Sequence, residues 1–204
     1  PRKYSLLGIT HTLSTPAPLK IIPKIPYAPL FKWDALICTS TAAQNAVKTI
    51  WDHSDEILMK RGGKPAERPQ LPLIPLGVNA NSLLPQCSRK DARRQIHLSE
   101  DAVVVLWTGR FELHCKAHHG ATFSALAHAA AAVPEKKWIL LMYGTAVMQD
   151  IPKALEEAGQ YLCPNVDVRL LDGHNIELGD LARTASNIAI SLVDCLQETF
   201  GLAP

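Results

Sequence analysis

The chain has 204 residues, 47% hydrophobic and 20% charged, with a formal net charge of +2. That length and apolar content support one large or two small cored domains, and a near-neutral balance without a Lys/Arg stripe argues against a nucleic-acid-binding surface. No apolar run approaches the ~20 residues of a membrane helix; the longest, AVVVLW and WILLMY, have the length of strands.

Five cysteines, Cys38, Cys87, Cys115, Cys163 and Cys195, are scattered without a CxxC pair. An odd count beside apolar, strand-like residues predicts reduced, mostly buried thiols in a cytoplasmic protein. There is no signal peptide and no starting Met, and the chain stops at Pro204 soon after a glycine turn. Both ends are therefore expected to be cut from a longer protein.

In chain order, YSLLGITHT (residues 4–12) predicts a short apolar strand that ends in a polar turn at Thr10, His11 and Thr12. Residues 15–30 mix proline with apolar side chains and receive no assignment. WDALICTS (33–40) is a second strand-like run, and Ser40 or Thr41 is placed to cap a helix from Ala42 to about Trp51. Lys60, Arg61, Lys64 and Arg68 sit among Gly62, Gly63 and Pro65, a composition that suits a solvated connection. LPLIPLGV (71–78) is apolar but interrupted by prolines, which fits an edge strand or a connecting segment.

From Ser88 onward the pattern becomes regular. SRKDARRQIHL predicts a polar helix with Ser88 as N-cap. AVVVLWTG predicts a buried strand, because it is apolar without alternation. After a loop to Gly120 come helix ATFSALAHAAAAV, strand KWILLMYG, helix DIPKALEEAGQYL, strand VDVRLLDG, helix IELGDLARTA and strand NIAISLVD. Strands alternating with helices predict an α/β fold with a Rossmann-like, doubly wound parallel sheet. All strands of such a sheet end on one edge, where ligands bind. Gly109–Arg110, Gly144–Thr145, Gly173–His174 and residues 194–201 fall on that edge. Glycine there lets a ligand or another backbone approach closely.

The loop TGRFELHCKAHHG (108–120) admits three readings. His114, Cys115, His118 and His119 are zinc-ligand types, but they come as two adjacent pairs, and neighbouring side chains on a loop rarely converge on one ion. Arg110 and Lys116 could instead hold a diphosphate, as a guanidinium fork plus an ammonium, with the N-terminus of the next helix adding free N–H groups. The third reading is a solvated basic loop. No GxGxxG follows a strand and there is no GxxxxGK[ST], which speaks against the usual dinucleotide site and against a P-loop. Elsewhere, His118, His119 and Cys115 are expected to shape the loop entrance, His128 to pack within its Ala-rich helix, and Trp107 and Trp138 to belong to the core. Asp194 is expected to order the CLQETFG turn.

Four stretches, in order, resemble a known family: GITHT, IPLGVNANSL, WTGRFELHCKAHHG and DCLQETFGLAP. The chain resembles retaining glycosyltransferases of the two-Rossmann-domain GT-B fold, in the large family-4 group. The resemblance implies residues 1–80 as the C-terminal portion of an acceptor-binding domain plus linker, and residues 81–204 as an incomplete nucleotide-sugar-binding domain. It implies that Arg110 and Lys116 hold the donor diphosphate. It places Glu198, the first carboxylate of an E-x7-E signature, and His11 at the donor sugar. Thr199, Phe200, Gly201 and Leu202 match a turn that meets sugar or phosphate, while Gly109, Gly144 and Gly173 match positions at the nucleotide.

The activity implied is transfer of a sugar from a UDP- or GDP-linked donor to an acceptor hydroxyl of a glycan or glycolipid, without a metal or other cofactor. Peripheral membrane association of a longer protein is compatible with that use. Asn79 stands where the family has Asp, and the second glutamate of the signature would fall past Pro204. A non-catalytic nucleotide-binding module, or a related GT-B phosphorylase or epimerase, are the alternatives.

Overall fold

The computed structural model describes residues 3–11, 13, 16–112 and 119–190. The chain divides into two compact units, with the boundary between Val78 and Asn79.

In the first unit, β1 (Leu7–Ile9) and β2 (Ala35–Ile37) pair in parallel. Between them run the short helix α1 (Pro16–Ile21) and a 3-10 turn, Ile22–Tyr27. The proline-broken segment after residue 70 lies alongside β2 as well, through parallel bridges Ala35–Gln70 and Cys38–Leu73. Its Gln70 and Ile74 amides donate to the Asp34 and Cys38 carbonyls, each at 2.9 Å. Pro72, between them, has no N–H to give. The Leu36 carbonyl accepts instead from the Cys38 thiol, at 3.7 Å.

Helix α2 covers this sheet and runs from Thr41 to Lys60, with Ser40 as its cap. It is longer than the predicted Ala42–Trp51, because its second half is held by partners far away in sequence. Asp55 is buried and accepts from the Tyr27 hydroxyl (2.7 Å) and from Arg68 (2.5 Å). Arg68 also bonds Asp52 at 2.7 Å and lies 5.9 Å over the Trp51 ring. The Arg68 hydrogen bond, then that of Tyr27, hold the Asp55 carboxyl below its ordinary range. Arg68 is thus a staple between loop and helix, which corrects its reading as part of a solvated run. Trp51 is 1% exposed and donates from Nε1 to the Ile22 carbonyl (2.8 Å), joining Cys38, Ala43 and Val47 in the core of this unit.

The second unit opens with a 3-10 turn at Ala80–Leu83 and helix α3 (Arg89–Gln95), capped by Ser88 as expected. Then β3 (Val103–Thr108), α4 (His119–Ala132), β4 (Trp138–Gly144), α5 (Asp150–Leu162), β5 (Val166–Asp172), α6 (Ile176–Ala185) and β6 (Ile188–Ile190) follow in turn. Pro152 falls in the first turn of α5, where its missing N–H costs nothing. The strands form a parallel sheet in the order β5-β4-β3-β6.

Both faces of this sheet are covered, which is why its central strands are apolar without alternation. Val105, Trp107, Leu140 and Met142 pack under Phe123 and Leu126 of α4 and Leu155 of α5. Val104, Leu106, Ile139 and Leu141 pack on the other face, under Ala92 of α3 and Ala182 and Ala185 of α6. Trp107 is buried and Trp138 partly so against the first cluster, in line with the sequence reading.

Arg93 closes the second layer from below. It is 4% exposed and, among the described residues, takes no carboxylate: Nε donates to the Ala185 carbonyl (2.9 Å), Nη1 to the Ser99 (3.3 Å) and Glu100 carbonyls, and Nη2 to Asn187 Oδ1 (2.7 Å). Asn187 Oδ1 accepts in turn from the Val104 amide (2.9 Å) at the start of β3. Burial lowers the Arg93 pKa, although the group stays charged. Cys38 and Cys163 are buried thiols whose pKa burial raises, and Cys87 is half-buried. Among the described residues no helix is long and apolar enough to cross a membrane.

Candidate functional site

The strand order of the second unit reverses at β3, which has β4 on one side and β6 on the other. Such a reversal in an open parallel sheet leaves a crevice at the carboxyl ends of the strands, because successive crossovers depart to opposite faces. Gly109 and Arg110 leave β3 at that point.

Gly109, Gly144 and Gly173 line up across the carboxyl edge of β3, β4 and β5. The Gly109 amide donates to the Tyr143 carbonyl (3.1 Å), and the Gly173 amide to the Gly144 carbonyl (2.8 Å). A Cβ on Gly144 would sit 1.8 Å from the Gly109 carbonyl oxygen, and one on Gly173 2.6 Å from the Gly144 carbonyl carbon. Gly109 has φ +151°, a conformation other residues rarely adopt. The sequence left open whether these glycines admit a ligand or a neighbouring backbone. Toward the missing Cβ of Gly144 and of Gly173 lies backbone, and toward that of Gly109 lies the Trp107 ring at 3.0 Å, so the three glycines form a closely stacked rim.

Arg110 stands on this rim with its side chain 53% exposed. Its Nη1 lies 3.5 Å from Oε2 of Glu112, whose side chain is only 11% exposed. Two backbone bonds shape the turn: Glu112 N–H to the Arg110 carbonyl and Phe111 N–H to the Thr145 carbonyl, both 2.8 Å. Phe111 turns inward and stacks on Trp107, with ring centroids 5.8 Å apart. Trp107 also meets His119 edge-on at 4.6 Å. His119 opens α4 and is 1% exposed. The expectation that it shapes the loop entrance is therefore corrected: the imidazole is buried in the first turn of α4, in a T-shaped contact with the indole. His128 is corrected in the opposite sense, since it is exposed and its Nδ1 bonds the Ser124 carbonyl at 2.7 Å.

Glu112 carried no functional signal in the sequence. A single glutamate in a polar loop gives no hint that it will be buried, and the clue available was its spacing of two from Arg110. The third loop of the edge is equally tied down. Asn175 Oδ1 accepts from the Leu178 amide (3.0 Å) and caps α6, Asp172 Oδ1 accepts from the His174 amide (2.9 Å), and the Tyr143 hydroxyl donates to the Gly173 carbonyl (3.0 Å).

Of the other residues singled out in the sequence, His11 belongs to the first unit. It follows β1, is exposed, and succeeds the buried Thr10, whose amide extends the ladder to the Ile37 carbonyl (2.9 Å). Lys116, Glu198, Thr199, Phe200, Gly201 and Leu202 lie outside the described residues, as do His114, Cys115 and His118 of the metal alternative and Asp194. Among the described residues no three His, Cys, Asp or Glu side chains gather as a metal-binding group.

No family model matches the sequence, and no curated protein does. Solved structures do. HepE of Anabaena, crystallised in complex with UDP, matches with a TM-score of 0.60 and 19% identity over 92% of this chain and 46% of its own. An α,α-trehalose-phosphate synthase (UDP-forming) from Burkholderia vietnamiensis matches with a TM-score of 0.55 and 13% identity, over 87% of this chain and 44% of its own. The chain thus spans a little under half the length of either. At this identity the likeness shows the fold: the Rossmann-like α/β architecture of the GT-B type expected from the sequence.

Proposed function

We propose that the chain is the donor-binding part of a retaining glycosyltransferase, which moves a sugar from a UDP- or GDP-linked donor to a hydroxyl of a glycan or glycolipid. The observation that carries this reading is the half-exposed Arg110 guanidinium on a rim of glycines, at the point where the strand order reverses. That HepE was crystallised with UDP supports it.

The chemistry needs little more. When the bond between sugar and diphosphate breaks, negative charge grows on the leaving group, and fixed positive groups lower the barrier. Arg110 supplies a planar fork of donors, only one of which faces Glu112. Lys116 adds a point charge, and the N-terminus of α4 adds the positive end of its dipole. This set serves the leaving group without a metal. The resemblance assigns donor-sugar roles to His11 and Glu198, and contacts to sugar or phosphate to residues 199–202. Work in the cytoplasm, where nucleotide sugars are made, belongs to the same proposal.

The test is turnover. UDP- and GDP-sugars are incubated with the chain, in EDTA, beside a panel of glycan and glycolipid acceptors. The proposal expects release of one nucleotide, coupled to a product whose anomeric configuration, read by NMR, equals the donor's. An inverted product removes the retaining mechanism, and tight nucleotide binding without any transfer favours the non-catalytic alternative.

A further inference from the structure

The first 33 residues contain five Lys and Arg (Arg2, Lys3, Lys20, Lys24, Lys32) and no Asp or Glu. Within them, the connection from β1 to β2 turns one side inward. Ile22 and Pro26 are buried, the Tyr27 hydroxyl bonds Asp55, and Trp51 holds the Ile22 carbonyl. The other side faces out with two similar triplets. In one, Lys20 stands between Leu19 (48% exposed) and Ile21 (59%); in the other, Lys32 stands between Phe31 (38%) and Trp33 (43%). Phe31 and Trp33 stack on one another at 4.6 Å. Lys24 is exposed between the triplets. The nearest acid in sequence, Asp34, is buried and accepts the Leu6 and Phe31 amides, both at 2.7 Å, so it offers no counter-charge outside.

From this pattern we propose that the outward side of residues 16–33 is a docking surface for an anionic lipid bilayer. The argument is charge complementarity joined to side-chain type. Aromatic and branched apolar residues are the ones that lodge at the headgroup–acyl boundary, and lysine stems reach from there to phosphate. A stretch with lysines and no carboxylate is attracted to an anionic leaflet and not to a neutral one. The inference goes beyond the reaction proposed above and does not depend on it.

The test uses the whole chain with sonicated vesicles, either rich in phosphatidylglycerol or of pure phosphatidylcholine. Trp33 is the reporter, because it is exposed while Trp51 and Trp107 are buried and Trp138 is partly buried against the core of the second unit. The expected result is co-sedimentation with the anionic vesicles alone, reversed by high salt, with emission quenched by brominated lipid. Each of Lys20→Glu, Lys24→Glu and Lys32→Glu should lower partitioning about fivefold or more, and Trp33→Ser should remove most of the quenching. The unfolding midpoint of each variant serves as the folding control, and the quenching of the unmodified chain stands even if one variant fails to fold. No binding to anionic vesicles, equal binding to neutral ones, or binding unchanged by the lysine reversals overturns the proposal. So does concentration-dependent self-association that shields Trp33, since the occupant is then a second copy.

Discussion

The acid of the Arg110–Glu112 pair is the buried partner, and the base is the exposed one. A carboxylate held by its own turn, 3.5 Å from Nη1, restrains one edge of the guanidinium and leaves the remaining donors for a ligand. If the pair serves ligand binding, Glu112→Gln should weaken nucleotide binding several-fold while leaving the unfolding midpoint nearly unchanged. Arg110→Ala should cost more, about 1.5–3 kcal/mol, the worth of charge-assisted hydrogen bonds. In the double variant the Glu112 effect should vanish, because Glu112 acts through Arg110. Titration of all four proteins with one nucleotide closes this cycle.

The glycine rim makes a prediction about stability rather than binding. Gly144→Ala drives a methyl into the Gly109 carbonyl, and Gly173→Ala drives one into the Gly144 backbone. Backbone cannot swing aside as a side-chain tip can, so each should lose about 3 kcal/mol or more in urea unfolding. Gly62→Ala has open space around its Cβ but φ +79°. It should cost about 1 kcal/mol, from backbone strain alone.

Arg93 should be intolerant of change. Its guanidinium serves three carbonyls and the Asn187 amide from a buried position. Arg93→Met leaves those acceptors dry and should destabilise the chain by about 3 kcal/mol. Arg93→Lys should recover little, since one ammonium cannot reach acceptors on both the α6 end and the α3–β3 turn. Thermal unfolding measures both.

Asp55 sets a pH dependence with a definite sign. Its folded-state pKa lies below the ordinary aspartate value of 3.8, chiefly through the Arg68 hydrogen bond. Its stabilisation is therefore complete well above 3.8 and is lost as pH falls through that value and below. Asp55→Asn should lower the unfolding midpoint at neutral pH and flatten its decline in acid. A variant that keeps the full acid slope would show that other carboxylates carry it.

Much of the second unit was legible because its signals are local: continuous apolar runs for β3 and β4, the cap at Ser88, and glycines at strand ends. What escaped depends on partners distant in sequence. The second half of α2 looks like a polar stop, since Asp52 and Asp55 reveal their purpose only beside Arg68 and Tyr27. His119 reads as a loop histidine until Trp107 lies beneath it, and Glu112 as a solvated acid until its turn folds inward. At the site, glycine spacing marked the edge correctly, but whether a ligand or a backbone fills the space beside a glycine is a tertiary fact.

The most direct test of the account is calorimetric titration of the chain and of Arg110→Ala with UDP and GDP, with and without EDTA. The account predicts saturable binding of one of the two, indifferent to EDTA and weakened tenfold or more by the substitution. Equal affinity in Arg110→Ala, or binding that EDTA abolishes, would contradict a diphosphate site built on Arg110.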